Sequence, residues 1–326
     1  MGARQEALSK WLVDQCGLHD GALVPASGDA SFRRYFRVRD GDQSFIAVDA
    51  PPTREDSHPF VKVARWLVAW GLNAPHVLKA DFAAGFLLVS DLGIRLYLDE
   101  LTESNVERLY GDALGALSAM QVHGGRVADQ IPPYGEALLR AEMALFDEWY
   151  LGRHLSLSLD TTRRAVLDAL HQLLVENALE QPKVFVHRDF HSRNLLHTEI
   201  NNPGILDFQD AVWGPWTYDL VSLLRDCYIR WPREQVVDWA LGYLDLAQQS
   251  GVIARCDEAQ FLRWFDLMGL QRHLKASGIF ARLNHRDSKP AYLAALPRPL
   301  GYVYEVFSSD SELAYFQSFL HSLRAI

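Results

Sequence analysis

Apolar positions change their period several times in the first ninety residues. In MGARQEALSKWLVDQC, Leu8, Trp11, Leu12 and Cys16 share one face of an expected amphipathic helix, and the stretch lacks the unbroken apolar core of a signal peptide. SFRRYFRVRDGDQSFIAVDAPP then alternates Phe36 and Val38 against Arg37 and Arg39, turns at Asp40-Gly41 and resumes from Ser44 to Asp49, which predicts a β-hairpin closed by Pro51-Pro52. PFVKVARWLVAWGL spaces Val61, Ala64, Leu67 and Val68 for a helix that Gly71 ends, and HVLKADFAAGFLLVSDLG supplies two short strands around Ala84-Gly85.

Past Leu92 the period becomes helical, over roughly 103–122, 136–154, 161–178, 217–229, 233–250, 257–278 and 309–324. Short apolar runs at Val184 to Val186, Asn194 to Leu196 and Gly204 to Phe208 interrupt it as a β-insert. The expected fold is α+β and bilobal. A small β-rich N-lobe with its leading helix spans 1–92, and a larger helical C-lobe spans 93–326, with a ligand cleft expected between them.

Composition narrows the functions this fold serves. The chain has 326 residues, 49% hydrophobic and 22% charged, enough apolar material for a large core. A net charge of -9 argues against holding nucleic acid or an anionic membrane by general electrostatics, and no apolar run is long enough to span a membrane. Three scattered cysteines, Cys16, Cys227 and Cys256, form no zinc or disulfide pattern and fit a reducing, cytoplasmic compartment. Met1-Gly2 is not read as a myristoylation signal, because Glu6 stands where that motif has Ser or Thr.

The densest polar cluster lies inside the β-insert. VHRDFHSRNLL holds His187, Asp189 and Asn194, and ILDFQDAVWGPWTYDL follows with Asp207 just after a strand. Phosphoryl transfer needs a carboxylate to orient and deprotonate the attacking hydroxyl, and oxygen ligands for Mg²⁺ on the nucleotide phosphates. Order, spacing and strand context match the kinase catalytic loop and metal aspartate.

HRDFHSRNLL resembles the aminoglycoside-phosphotransferase and choline-kinase-like superfamily, whose loop reads H-x-D-h-H-x-x-N, with His191 as its second histidine. GDASFRRYFRV, DAPP, FLLVSDLG, DFQDAVWGPWTYDL, DCYIRWP and QRHLKASGIFARL further resemble the bacterial branch that phosphorylates N-acetylmuramate and N-acetylglucosamine at the anomeric position in peptidoglycan recycling. The resemblance covers nearly the whole chain. It implies a protein-kinase-like fold, ATP and Mg²⁺ as cofactors, Asp189 as catalytic base, His187 as support for the loop, and Asn194 and Asp207 as metal ligands. Asp219 would anchor the loop backbone, and His191 would orient rather than act as base. A small amino-sugar substrate is implied, with no nucleic acid, no membrane and no obligate protein partner. The alternatives are an aminoglycoside or other small-molecule hydroxyl kinase, and a nucleotide-binding pseudokinase.

Two kinase devices are missing from the N-lobe. The phosphate-covering hairpin has Gly28 alone, leaving Ser31, Phe32, Arg33 and Arg34 as candidate phosphate contacts. FIAVDAPP puts Asp49 where the strand lysine is expected, so either Lys62 reaches the phosphates with Asp49 positioning it, or Arg33 or Arg34 serves instead. Ser90, Asp91 and Leu92 are the expected adenine hinge. For the acceptor, Gln209 and Asp210 follow the metal aspartate, and Glu142, Arg272, His273 and Lys275 offer polar and cationic groups suited to a carboxylate-bearing amino sugar.

Overall fold

The structure is a computed structural model that describes residues 2–19, 22–26, 32–309, 313 and 316–318. The chain divides into two compact units, one formed by residues 1–116 and 194–210, the other by 117–193 and 211–326. This division runs later than the 92/93 boundary and also takes in 194–210, because that stretch pairs with the first unit's own backbone at Leu196–Leu96 and Gly204–Asn73. Among the described residues no helix is long and apolar enough to cross a membrane.

The first unit opens with α1 (Ala3–Cys16), which stops where Gly17 takes a left-handed conformation. Strands β1 (Val24–Pro25), β2 (Arg34–Asp40) and β3 (Gln43–Asp49) lead to α2 (His58–Ala69), then β4 (Val77–Asp81) and β5 (Phe86–Ser90). They form one antiparallel sheet in the order β1-β2-β3-β5-β4. The β2–β3 turn falls at the expected Asp40-Gly41. Leu8, Trp11 and Leu12 of α1 pack on one face of this sheet, against Phe36, Val38, Ala47, Phe86 and Leu88. Gly85, at φ +74°, is the one residue its turn admits, since a Cβ there would lie 2.0 Å from the Ala50 carbonyl oxygen. A short helix, α3 (Tyr97–Glu100), precedes α4 (Val106–Gly124), which runs on into the second unit.

The second unit is built round α9 (Glu258–Asp287), 30 residues long and nine beyond the expected end at 278. It packs against α5 (Glu136–Leu145), α6 (Thr161–Glu180), α7 (Tyr218–Leu224), α8 (Arg233–Gln249) and α10 (Pro297–Ser309). The helix expected at 136–154 is α-helical only to Leu145 and continues as a π-helix over Phe146–His154. Strands β6 (Lys183–Val186) and β9 (Val212–Pro215) pair in this unit, while β7 (Leu195–Leu196) and β8 (Gly204–Ile205) pair in the first. The helix expected over 309–324 lies almost wholly outside the described residues.

Candidate active site

Strand β6 ends at Val186, and the chain turns into the polar loop. Asp219, buried in the first turn of α7, receives the backbone N–H of His187 at 2.6 Å on one oxygen and that of Arg188 at 2.9 Å on the other. Arg188 adopts φ +77°, a left-handed conformation that costs a non-glycine residue free energy and recurs at functional sites. The buried His187 ring accepts the Asp189 N–H on Nδ1 at 3.3 Å, within the turn of the loop. Burial lifts the Asp219 carboxyl to about 7, against the two N–H donors that favour its ionised form.

Asp189 is half-buried. Burial alone would raise its pKa, but the charges of Lys275, His191, Arg272 and Arg188 outweigh that and hold it below the ordinary aspartate value. Three of these groups, Arg188, Lys275 and Arg272, are themselves fixed. Glu142, buried at 5% exposure, receives Arg188 at 2.5 Å and Lys275 at 2.8 Å on Oε1, while Tyr134 donates to its Oε2. Lys275 also donates to the Tyr218 hydroxyl at 2.9 Å, and Arg272 reaches the Cys227 sulfur at 3.5 Å. Burial of Glu142 is likewise overcome by Lys275 and Arg188, and its pKa is lowered.

The three basic residues expected together on α9 separate in the structure. Arg272 and Lys275 belong to the electrostatic surroundings of Asp189, whereas His273 is fully buried, donates its Nε2–H to the Arg225 carbonyl over 2.9 Å, and stacks on Tyr302. One residue along a helix is a rotation of about 100°, which carries His273 to another face.

In the first unit, the antiparallel pairing Leu195–Ile205 brings Asn194, just before β7, beside Asp207, two residues past β8. The Asn194 amide approaches one Asp207 oxygen at 3.4 Å and the Gln209 amide donates to the other at 2.7 Å. Asp207 sits at φ +62°, a left-handed conformation like that of Arg188. Gln209 Oε1 is buried and has no protein partner, and Asp210 is exposed.

The nucleotide-side candidates divide by face. Strand side chains alternate, so Asp49 points with Ala47 to the side that α1 covers. There its two oxygens receive Arg4, at 2.8 Å from Nε, and Arg34, its cross-strand partner. The expected Asp49–Lys62 pairing is therefore replaced by an α1-to-sheet clamp, and Arg34 serves that clamp. Lys62 lies 4.9 Å over the Trp66 ring, and Arg33 meets Glu55 at 3.2 Å. Phe32 is exposed, with Arg54 over its ring, and Ser31 lies outside the described residues. At the end of β5, Asp91 is locked by Arg37, Ser44 and the Gly93 N–H, while the Ser90 hydroxyl accepts the His76 N–H at 2.8 Å. Leu92 lies beside Gly204, its methyl 3.2 Å from where a Cβ would stand.

Known proteins provide an independent comparison. The sequence profile of the phosphotransferase enzyme family matches residues 22–259. A Pseudomonas aeruginosa protein named N-acetylmuramate/N-acetylglucosamine kinase is 48% identical over 92% of this chain and 88% of its own. One of the same name from Neisseria meningitidis is 40% identical over 95% and 93%. Among solved structures, a Cryptosporidium parvum choline kinase aligns with a TM-score of 0.67 at 12% identity, over 94% of this chain and 97% of its own. An ADP-bound aminoglycoside phosphotransferase aligns with a TM-score of 0.60 at 16% identity, over 92% and 98%. At such identities the likeness shows the fold: α+β, bilobal and protein-kinase-like.

Proposed function

The chain belongs to the phosphotransferase enzyme family, and we propose that within it the protein is an ATP- and Mg²⁺-dependent kinase that phosphorylates the anomeric hydroxyl of N-acetylmuramate or N-acetylglucosamine. The acceptor rests on relatives of that name at 40–48% identity. The chemistry rests on one arrangement: Asp189 lies in the field of Lys275, Arg272 and Arg188, which lowers its pKa, on a loop whose backbone Asp219 grips.

In this reading the anomeric oxygen attacks the γ-phosphorus, the bond from that phosphorus to the β–γ bridging oxygen breaks, and ADP leaves. Asp189 orients the hydroxyl and takes its proton. A carboxylate of lowered pKa is a weak base, which suits late proton transfer from a hemiacetal hydroxyl, more acidic than an ordinary alcohol. Arg188 and Lys275 stay on Glu142, so their charge faces the reacting groups without leaving a buried cation uncompensated.

Asn194 and Asp207 offer hard oxygens of the kind Mg²⁺ takes, and they adjoin each other. Among the described residues no group of three or more His, Cys, Asp or Glu stands ready to hold a metal alone, which agrees with an ion that shares its shell with nucleotide phosphates. Bound there, Mg²⁺ would neutralise charge on the transferring phosphoryl. Residues 1–92 carry the nucleotide contacts in this proposal, with Arg33 and Lys62 as the phosphate cations and the 90–92 backbone as the adenine edge. Residues 93–326 carry the catalytic loop and the acceptor groups Gln209, Asp210, Glu142, Arg272 and Lys275. Three free cysteines and an ATP requirement favour the cytoplasm. The test is product analysis with separate acceptors: sugar 1-phosphate supports the reading, and phosphate on kanamycin alone assigns the protein to aminoglycoside kinases.

A further inference from the structure

The segment Arg225-Asp226-Cys227-Tyr228, just past α7, has no part in the chemistry described so far, yet each of its residues is engaged. Asp226 is buried at 1% exposure. One of its oxygens receives the Ser192 backbone N–H at 2.9 Å, and the other receives the Tyr228 N–H at 2.8 Å. Tyr228 in turn takes the His191 ring edge-on at 5.5 Å and the Arg193 guanidinium over its face at 4.4 Å. Cys227 accepts from Arg272, whose charge faces Asp189, and the Arg225 carbonyl meets His273 while its guanidinium meets Asp266. Three consecutive loop residues, 191 to 193, thus rest on two residues of this segment, Asp226 and Tyr228.

From this geometry we infer that Asp226 and Tyr228 are positioning residues for phosphoryl transfer. Asp219 holds the loop at 187–188 and Asp226 holds it at 192, so Asp189 is suspended between two carboxylate anchors. A single anchor would leave the loop free to pivot about the left-handed Arg188, and two fix where the Asp189 carboxylate points. A buried carboxylate that accepts two main-chain N–H groups is a costly way to fill space unless it orders that backbone. The inference rests on Asp189 as the acting group of the proposed kinase.

The experiment joins a reading that does not depend on activity to one that does. Amide hydrogen exchange across residues 187–194 is measured in the nucleotide-free full chain for wild type, Asp226→Asn and Tyr228→Leu, alongside kcat, both KM values and the melting temperature. Charge-assisted hydrogen bonds of this kind predict about a ten- to hundredfold faster exchange at Ser192 in Asp226→Asn. The kcat should fall by a similar factor, with KM for ATP and sugar within about twofold of wild type. Tyr228→Leu should speed exchange over 191–193 and lower kcat less, and it carries the test if Asp226→Asn does not fold. Unchanged exchange at Ser192 overturns the inference. So does faster exchange spread evenly through α6 and α9, which would make Asp226 an ordinary buried structural carboxylate. If wild type and Asp189→Asn turn over sugar alike, the kinase reading fails, while the exchange result still decides whether the anchor exists.

Discussion

The carboxylate of Asp219 accepts the backbone N–H of His187 at 2.6 Å, and through that bond α7 sets the start of the polar loop that carries Asp189. The same carboxylate holds the Arg188 N–H at 2.9 Å, and burial has raised its pKa to about 7.

A pH dependence with two opposite signs follows. The folded pKa lies above the unfolded aspartate value, so on this group's account stability falls as pH rises from about 4 to about 7 and then levels. Activity goes the other way, because protonation turns one acceptor oxygen into a hydroxyl and loosens the loop. The expected kcat profile has an acid limb centred near 7, while Asp189, with its lowered pKa, stays ionised throughout. In Asp219→Asn the limb should vanish and leave a low, flat rate. A limb retained in that variant assigns it to another group.

The two faces of the small sheet predict different phenotypes. Asp49→Asn and Arg34→Ala break the clamp between α1 and the strands, so the denaturation midpoint should drop while KM for ATP stays within about twofold. Lys62→Glu and Arg33→Ala should raise KM for ATP about tenfold or more with little loss of stability. An ATP KM raised by Asp49→Asn and unmoved by Lys62→Glu would reverse this division.

Glu142 compensates two buried cations at once. Glu142→Gln keeps the volume and removes the charge, which should cost about 3–5 kcal/mol in denaturant unfolding. Neutralising Lys275 as well, in Glu142→Gln/Lys275→Met, should recover part of that loss, whereas additive losses would show that the pair is not coupled.

Close backbone approach accounts for a glycine inside the longest helix. A Cβ on Gly278 would lie 2.3 Å from the Leu145 carbonyl carbon and 2.5 Å from the Phe146 nitrogen, where α5 passes into the π-helix. Gly278→Ala should therefore destabilise by about 1–3 kcal/mol, despite the better helix propensity of alanine. A gain in melting temperature would mean that the helices part without cost.

Much of this site was legible before any coordinates. HRDFHSRN and DFQD are short-range signals, and the family resemblance marked Asp219 as an anchor of the loop backbone, which its bonds to the His187 and Arg188 N–H groups match. What failed depended on tertiary choice. FIAVD is apolar on both faces from Phe45 to Val48, so its pattern did not reveal that α1 covers the Ala47 side and that Arg4 and Arg34 take Asp49 there. Arg272, His273 and Lys275 are neighbours in sequence, but the helix turns His273 toward Tyr302. The expected helix ended at 278, but the missing Cβ of Gly278 serves packing in a helix that continues to Asp287. Asp226 opens DCYIRWP, a stretch that resembles the family but carried no assigned role, and the hydrogen bond to Ser192 discloses one.

The most direct test of the account is phosphorus NMR of the products formed from ATP and Mg²⁺ with N-acetylmuramate or N-acetylglucosamine, by wild type and by Asp189→Asn. The account predicts a sugar 1-phosphate from wild type and about a hundredfold or greater loss of rate in the variant, with its fold retained. No sugar phosphate from wild type, or equal product from Asp189→Asn, would contradict it.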